Sequence, residues 1–285
     1  PTTSAQEATS AATPAARKQG QIYYSSYNAA EERWEVISVP AGGGPPRVLV
    51  INATMPAISP NGRILLYRSE RQDSIGIHAF DLETTNDVRA TQFVQHMLPR
   101  WGGENLPFLF VAEEPGTGRW QIFQGFADGK GAPTILADGR TPDWSPDGQL
   151  MAFQGTDQEG NNPGIYVRPV GGGTPTRLTT HESDRTPAFS PDGKQIAYMS
   201  TQSGNWDIYI VEVAGGEPQP ITTYAGNDGL PTWSPDGTTL AYVSDTGGNW
   251  GIYTVGLDGS TPVRITDWDG TNRSDWLIAQ IGWTR

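Results

Sequence analysis

Three histidines, His78, His96 and His181, are all that this 285-residue chain offers for imidazole chemistry, and it has no cysteine. Their separation does not match the ligand spacing of a zinc site. A Gly-x-Ser-x-Gly turn is absent, and His181-Glu182 lacks the second histidine of a zinc-protease helix. His181, Ser183 and Asp184 stand close together, but a Ser-His-Asp relay is assembled by geometry from separate elements, so the cluster is read as loop polarity. Oxygen ligands are better supplied. Asp267, Asp269, Asn272 and Asp275 share one stretch and are the ligand type that a hard cation such as calcium takes, although their spacing is not that of an EF-hand loop. The run from Asp157 to Asn161 is a weaker second candidate. No other cofactor is expected.

The composition narrows the partners. A formal charge of −12 and a pI near 4.6 would repel a phosphate backbone, so no nucleic-acid binding is expected. No apolar run is long enough to span a bilayer as a helix, so no direct membrane insertion is expected. The chain opens at Pro1 without a methionine or a signal-peptide pattern and is read as a processed piece of a longer protein. Residues 1–20, rich in Ala, Thr, Ser and Pro, cannot bury enough apolar surface to offset their ordering entropy and are expected to be a disordered linker.

The elements that must position any site come from a repeat. An aromatic recurs as Tyr24, Tyr67, Phe110, Phe153, Tyr198 and Tyr242, at intervals of 43, 43, 43, 45 and 44 residues. A second column runs Trp34, Ile75, Trp120, Pro163, Trp206 and Trp250, followed at a fixed offset by Val36, Ile77, Ile122, Ile165, Ile208 and Ile252. A third closes each unit at Leu49, Ala90, Leu136, Leu178, Ile221 and Ile265. Short apolar runs between Gly, Pro, Asn and Asp read as antiparallel strands joined by tight turns. Four strands per unit at this period make a β-propeller. The turn Ser-Pro-Asp-Gly is complete at Ser145–Gly148, Ser190–Gly193 and Ser234–Gly237, and stands as Ser59-Pro60-Asn61-Gly62 in an earlier copy. Its residues are read as structural. The first copy lacks an opening strand, and the chain ends on an orphan strand at 277–283. The expected fold is therefore all-β: a six-bladed β-propeller of four-stranded antiparallel blades over residues 21–285, closed by the C-terminal strand joining the N-terminal blade.

The Ser-Pro-Asp-Gly turns, with Ile196-Ala197-Tyr198 and Ile208-Tyr209, resemble the WD40-like repeats of the bacterial TolB family over residues 21–285. The resemblance implies a propeller that acts as a binding or scaffold module outside the cytoplasm, in the periplasm or at the cell surface. It also implies a monomeric domain within a larger chain, for example as the sensor part of a membrane-anchored protein. Propellers with related repeats precede the hydrolase domain of prolyl-oligopeptidase-like peptidases and form oligogalacturonate lyases, so a propeller hydrolase or lyase is the enzymatic alternative. A calcium- or small-ligand-binding propeller is a further one.

In such blades the Ser-Pro-Asp-Gly turns share one face, and the longer, variable loops share the other. Binding residues are expected on variable loops held by a rigid scaffold. That face is expected to offer Arg100, Arg140, Asp143, Glu182, Asp184, Arg185, Asp228 and Arg273 for a protein or peptide partner. Residues just inside the central channel are expected to be Ala57, Arg100, Asp143, Ala188, Thr232 and Gln280, with Arg100 and Asp143 paired to each other.

Overall fold

The structure is a computed structural model that describes residues 20–102, 107–157, 159–269, 276 and 279–284. The linker expected over residues 1–20 lies outside the described residues, apart from Gly20. Each blade is one antiparallel sheet. Blade 1 contains β1 (Gln21–Asn28), β2 (Arg33–Pro40) and β3 (Arg47–Ile51). Blade 2 contains β4 (Ala53–Ile58), β5 (Ile64–Ser69), β6 (Gly76–Asp81) and β7 (Asp87–Arg89). Blade 3 contains β8 (Met97–Trp101), β9 (Phe108–Glu113), β10 (Trp120–Gly125) and β11 (Thr134–Asp138). Blade 4 contains β12 (Arg140–Trp144), β13 (Leu150–Gly155), β14 (Gly164–Pro169) and β15 (Thr176–Arg177). Blade 5 contains β16 (Arg185–Phe189), β17 (Gln195–Ser200), β18 (Asp207–Glu212) and β19 (Gln219–Pro220). Blade 6 contains β20 (Asp228–Trp233), β21 (Thr239–Ser244), β22 (Gly251–Gly256) and β23 (Val263–Asp267). The final strand, β24 (Ile281–Thr284), returns to β1, with Gln21 opposite Thr284 and Tyr24 opposite Ile281. Six four-stranded blades and C-terminal closure are what the repeat demanded.

The columns become the core. Val36, Ile77, Ile122, Ile165, Ile208 and Ile252 are all at 0% exposure, one per blade, between neighbouring sheets. Each fully buried side chain of this size contributes about 1.5–3 kcal/mol. The aromatic column faces the third strand of its own sheet: Phe110 lies 5.2 Å from Phe123, Tyr198 5.8 Å from Tyr209 and Tyr242 6.0 Å from Tyr253, centroid to centroid.

The turns carry one hydrogen-bond set in every complete copy. Ser190 Oγ donates to Asp192 Oδ1 at 2.7 Å and accepts from the Gln195 N–H at 3.0 Å, and Asp192 Oδ1 accepts from the Lys194 N–H at 3.1 Å. Gly193 sits at φ +72°, a conformation that glycine adopts without penalty.

The inner strands share a feature that the repeat columns do not reveal. Met55, Leu98, Thr141, Thr186 and Leu230 all have φ between +45° and +56°, and each precedes a proline, at 56, 99, 142, 187 and 231. The ladder to the second strand breaks at each of these places. Proline has no N–H to give the ladder, and the residue before it is kept out of the right-handed helical region, so the pair forms a bulge.

Candidate functional site

The central channel holds a cavity of about 500 Å³. Its wall includes Ala57, Arg100, Asp143, Ala188 and Thr232, as expected from the first strands, but the sixth position is Gly282 and not Gln280. The inner strand of blade 1 has neither the proline nor the Ser-Pro-Asp-Gly turn that marks the register elsewhere. Gln280 instead is buried, and its Oε1 has no hydrogen-bond partner among the described residues. Prolines of the Ser-Pro-Asp-Gly turns, Pro60, Pro146, Pro191 and Pro235, line the same cavity. Arg100 and Asp143 therefore stand toward the turn face and away from the variable loops.

Arg100 and Asp143 feel each other's charge, but no ion pair closes between them among the described residues. Asp143 Oδ2 accepts the Phe189 backbone N–H at 2.7 Å. Burial in the channel wall pushes the Asp143 carboxyl up to about 6, against the opposing pull of Arg100 and of that amide. The same burial lowers the guanidinium of Arg100, with Asp143 opposing.

On the variable-loop face, several charges expected to meet a partner turn inward. Asp184 and Asp228 are 1% and 0% exposed, the one just before β16 begins and the other at the first residue of β20. Asp184 Oδ2 accepts the His181 backbone N–H at 3.0 Å and so holds the loop 181–184, while His181 Nδ1 lies 2.7 Å from Ser183 Oγ. The carboxylate thus binds the main chain and does not orient the imidazole, so the trio forms no relay. Asp228 lies beside Thr222, Ser244, Asp207 and Asp245, yet neither carboxylate oxygen has a hydrogen-bond partner among the described residues. Burial raises it to about 6, the hydroxyls of Ser244 and Thr222 oppose the rise, and the negative charges of Asp207 and Asp245 add to it. Asp207, raised by burial in the same way, accepts from Thr222 Oγ1 at 3.2 Å.

The arginines brace the loops as well. Arg140 stacks 4.6 Å above the Trp120 ring and Arg185 4.6 Å above the Trp206 ring, while Arg185 Nε donates to the Ser183 carbonyl at 3.0 Å. Glu182 stays exposed. Arg273, Asn272 and Asp275 lie outside the described residues. Of the expected cation ligands that remain, Asp267 pairs with Arg264 at 2.7 Å, and Asp269 anchors blade 1 through its carbonyl, which accepts the Tyr27 N–H at 2.7 Å. Among the described residues no group of three His, Cys, Asp or Glu side chains is placed to hold a metal ion.

Two exposed aromatic side chains that follow no repeat column occupy the same face, while a third, Phe126, lies on the turn face. Phe93 is 63% exposed on the loop between blades 2 and 3, and its ring lies 5.1 Å from that of buried His96. His96 in turn lies 4.5 Å from Phe110, and burial lowers it to about 4, so it is neutral at pH 7. Tyr224 is 41% exposed on the loop between blades 5 and 6, where Asn205 Nδ2 holds its carbonyl at 2.9 Å. No helix among the described residues is long and apolar enough to cross a membrane.

The fold and sequence have recognisable relatives. The TolB from Acinetobacter baumannii superposes with a TM-score of 0.79 over 95% of this chain and 68% of its own, at 21% identity. The β-propeller domain of the Trilobed protease from Pyrococcus furiosus gives 0.58 over 87% and 81%, at 16% identity. An oligogalacturonate lyase in complex with manganese gives 0.57 over 90% and 76%, at 15% identity. At these identities the likeness is one of fold. No curated protein matches the sequence at a significant level. The sequence profile of the TolB beta propeller domain matches residues 110–280, more than half of the chain. The chain belongs to the TolB beta-propeller domain family.

Proposed function

We propose that this propeller is a non-enzymatic binding module that recognises a protein or peptide partner through its variable-loop face. The observation that carries this reading is the pair of exposed aromatic rings, Phe93 and Tyr224, on loops braced by the ring contact of Phe93 with buried His96 and by half-buried Asn205, which holds the Tyr224 carbonyl. Aromatic side chains presented in a fixed conformation lose little entropy on binding and are the residues that dominate interface energies. Arg140, Asp184, Arg185 and Asp228 support the site from below by shaping the loops. Glu182 and the other exposed carboxylates supply its polar rim. On the TolB resemblance we assign the domain to an extracytoplasmic compartment, as part of a larger chain.

A photo-crosslinking amino acid placed at position 93 or 224 in the native cell tests the reading. It should capture one partner, and the purified partner should bind saturably with at least about tenfold weaker affinity to Phe93→Ala or Tyr224→Ala. Capture only from positions on the opposite face, such as Lys194 or Leu257, would overturn it.

A further inference from the structure

Four positions at the variable-loop end of each blade repeat round the ring. In blade 5 they hold Asp184, Ser200, Trp206 and Asp207, and in blade 6 Asp228, Ser244, Trp250 and Gly251. In blade 4 the same positions hold Gly139, Gly155, Pro163 and Gly164. The side chains that fill this end of blades 5 and 6 are missing, and a groove of about 1020 Å³ opens along the junction of blades 3 and 4, with Gly139, Gly155 and Pro163 in its wall. Ligand pockets run to roughly 300–1,000 Å³, so the groove has room for more than one sugar-sized ring. Gly139 cannot be replaced to close it, because a Cβ there, at φ +152°, would lie 2.6 Å from the Phe153 ring and 2.8 Å from the Gln154 carbonyl oxygen.

The lining gives the groove a chemistry. Half-buried Trp120 contributes an indole, one face of which the planar guanidinium of Arg140 covers at 4.6 Å. Among the described residues, neither the Trp120 indole N–H nor the Gln154 carboxamide makes a hydrogen bond. Formal charge in the groove cancels: Arg119, Arg140 and Arg168 face Asp138, Asp157 and Glu159. The carboxylates of Asp138 and Asp157 are already engaged, the first by Arg119 and Gln121, the second by the Asn161 N–H at 2.7 Å and Asn162 Nδ2 at 2.6 Å. An aromatic wall, spare neutral donors and no net charge suit a ring with an apolar C–H face and a rim of hydroxyls.

We infer that the groove between blades 3 and 4 binds a short neutral oligosaccharide, with one pyranose ring against Trp120 and its hydroxyls on the spare donors beside it. The groove opens at the variable-loop end and shares Arg140 with the proposed partner site, but it is lined by neither Phe93 nor Tyr224, so variants at those two rings distinguish the readings.

The test is a titration of the whole chain, ¹⁵N-labelled, with maltotetraose, cellotetraose and chitotetraose, each up to about 10 mM to reach the weak end of specific binding. The Trp120 indole Nε1–H signal, assigned by its loss in Trp120→Phe, should shift saturably with at least one of the three. Pro163→Trp restores the residue type that blades 5 and 6 carry and fills the groove. It should leave the fold unchanged and weaken binding at least about tenfold. A second variant, Gln154→Ala, should weaken binding by several-fold. No shift with any of the three sugars overturns the proposal. So does a shift that survives Pro163→Trp, or one produced by a glutamate-rich peptide in place of the sugars.

Discussion

Asp143 of blade 4 accepts the backbone N–H of Phe189 in blade 5 at 2.7 Å, at a place where blades 3 and 6 use a tryptophan indole. Trp101 Nε1 donates to the Ala57 carbonyl at 3.1 Å, and Trp233 Nε1 to the Ala188 carbonyl at 2.9 Å, each strapping a blade to the one before it. Phe189 occupies the tryptophan position without an indole N–H, and the carboxylate of the preceding blade takes over the strap. Measured at pH 4, where the ionisation penalty of a carboxyl raised to about 6 is small, Asp143→Ala should therefore cost about 1–3 kcal/mol in urea unfolding, the range for a buried hydrogen bond that loses one partner. Adding Phe189→Trp should recover part of that loss, because the indole can reach the carbonyl of residue 143, which the alanine keeps. Additive losses in the double variant would show that the strap has no such equivalence.

Asp228 makes stability depend on pH in the direction opposite to most surface carboxylates. In the unfolded chain it titrates near 3.8, and in the fold it is pushed up to about 6. Well below pH 3.8 both states hold the proton and the group is neutral to folding, and at pH 4 its effect is still small. As pH rises, the unfolded chain ionises freely while the folded chain must ionise a buried group, so its contribution worsens through pH 6 and stays unfavourable above. A rise of that size corresponds to a destabilisation on the order of 3 kcal/mol. Asp228→Asn should stabilise the protein at pH 8 and change it little at pH 4, measured as urea unfolding free energies. An equal effect at both pH values would place the ionisation elsewhere.

Much of the fold was legible in the sequence because scaffold residues repeat at one period. The column from Val36 to Ile252 needed only counting, and so did the turns. The prolines at 56, 99, 142, 187 and 231 were equally countable, but their consequence, a left-handed residue before each one, belongs to backbone geometry. The site was less legible for a related reason. Asp184 and Asp228 looked like loop charges, yet they stand in line with Ala53, His96 and Gly139 at a position that the ring buries or packs closely. The groups around Asp228 come from the next strand of its own sheet and from blade 5, which linear order hides. Likewise, Arg140 and Arg185 could not be assigned to Trp120 and Trp206 until the sheets were laid side by side.

The Ser-Pro-Asp-Gly turns should matter to stability and not to recognition. Ser190 is 3% exposed, and its hydroxyl both donates to Asp192 and accepts from Gln195. Ser190→Ala should cost about 1–2 kcal/mol in urea unfolding and leave partner affinity unchanged, since the turn lies on the opposite face from Phe93 and Tyr224. A drop in affinity at unchanged stability would move the binding face to the turns.

Ring closure gives the last and largest expected effect. β24 donates Ile281 and Trp283 to the core beside Ile22 and Tyr24, and Thr284 Oγ1 reaches the Pro60 carbonyl of blade 2 at 3.3 Å. Among the described residues four residue pairs join β24 to β1, and they convert an open array into a closed one. Removing residues 281–285 deletes three buried side chains, Ile281, Trp283 and Thr284, and exposes the ladder edge of β1, whose residues Ile22–Ser25 are buried. A largely apolar edge left unpaired recruits other strands. The shortened chain should melt more than about 10 °C lower and form dimers or aggregates in size-exclusion chromatography, because the lost burial alone amounts to several kcal/mol. A monomer with an unchanged melting temperature would mean that blade 1 is complete with three strands and that closure contributes nothing.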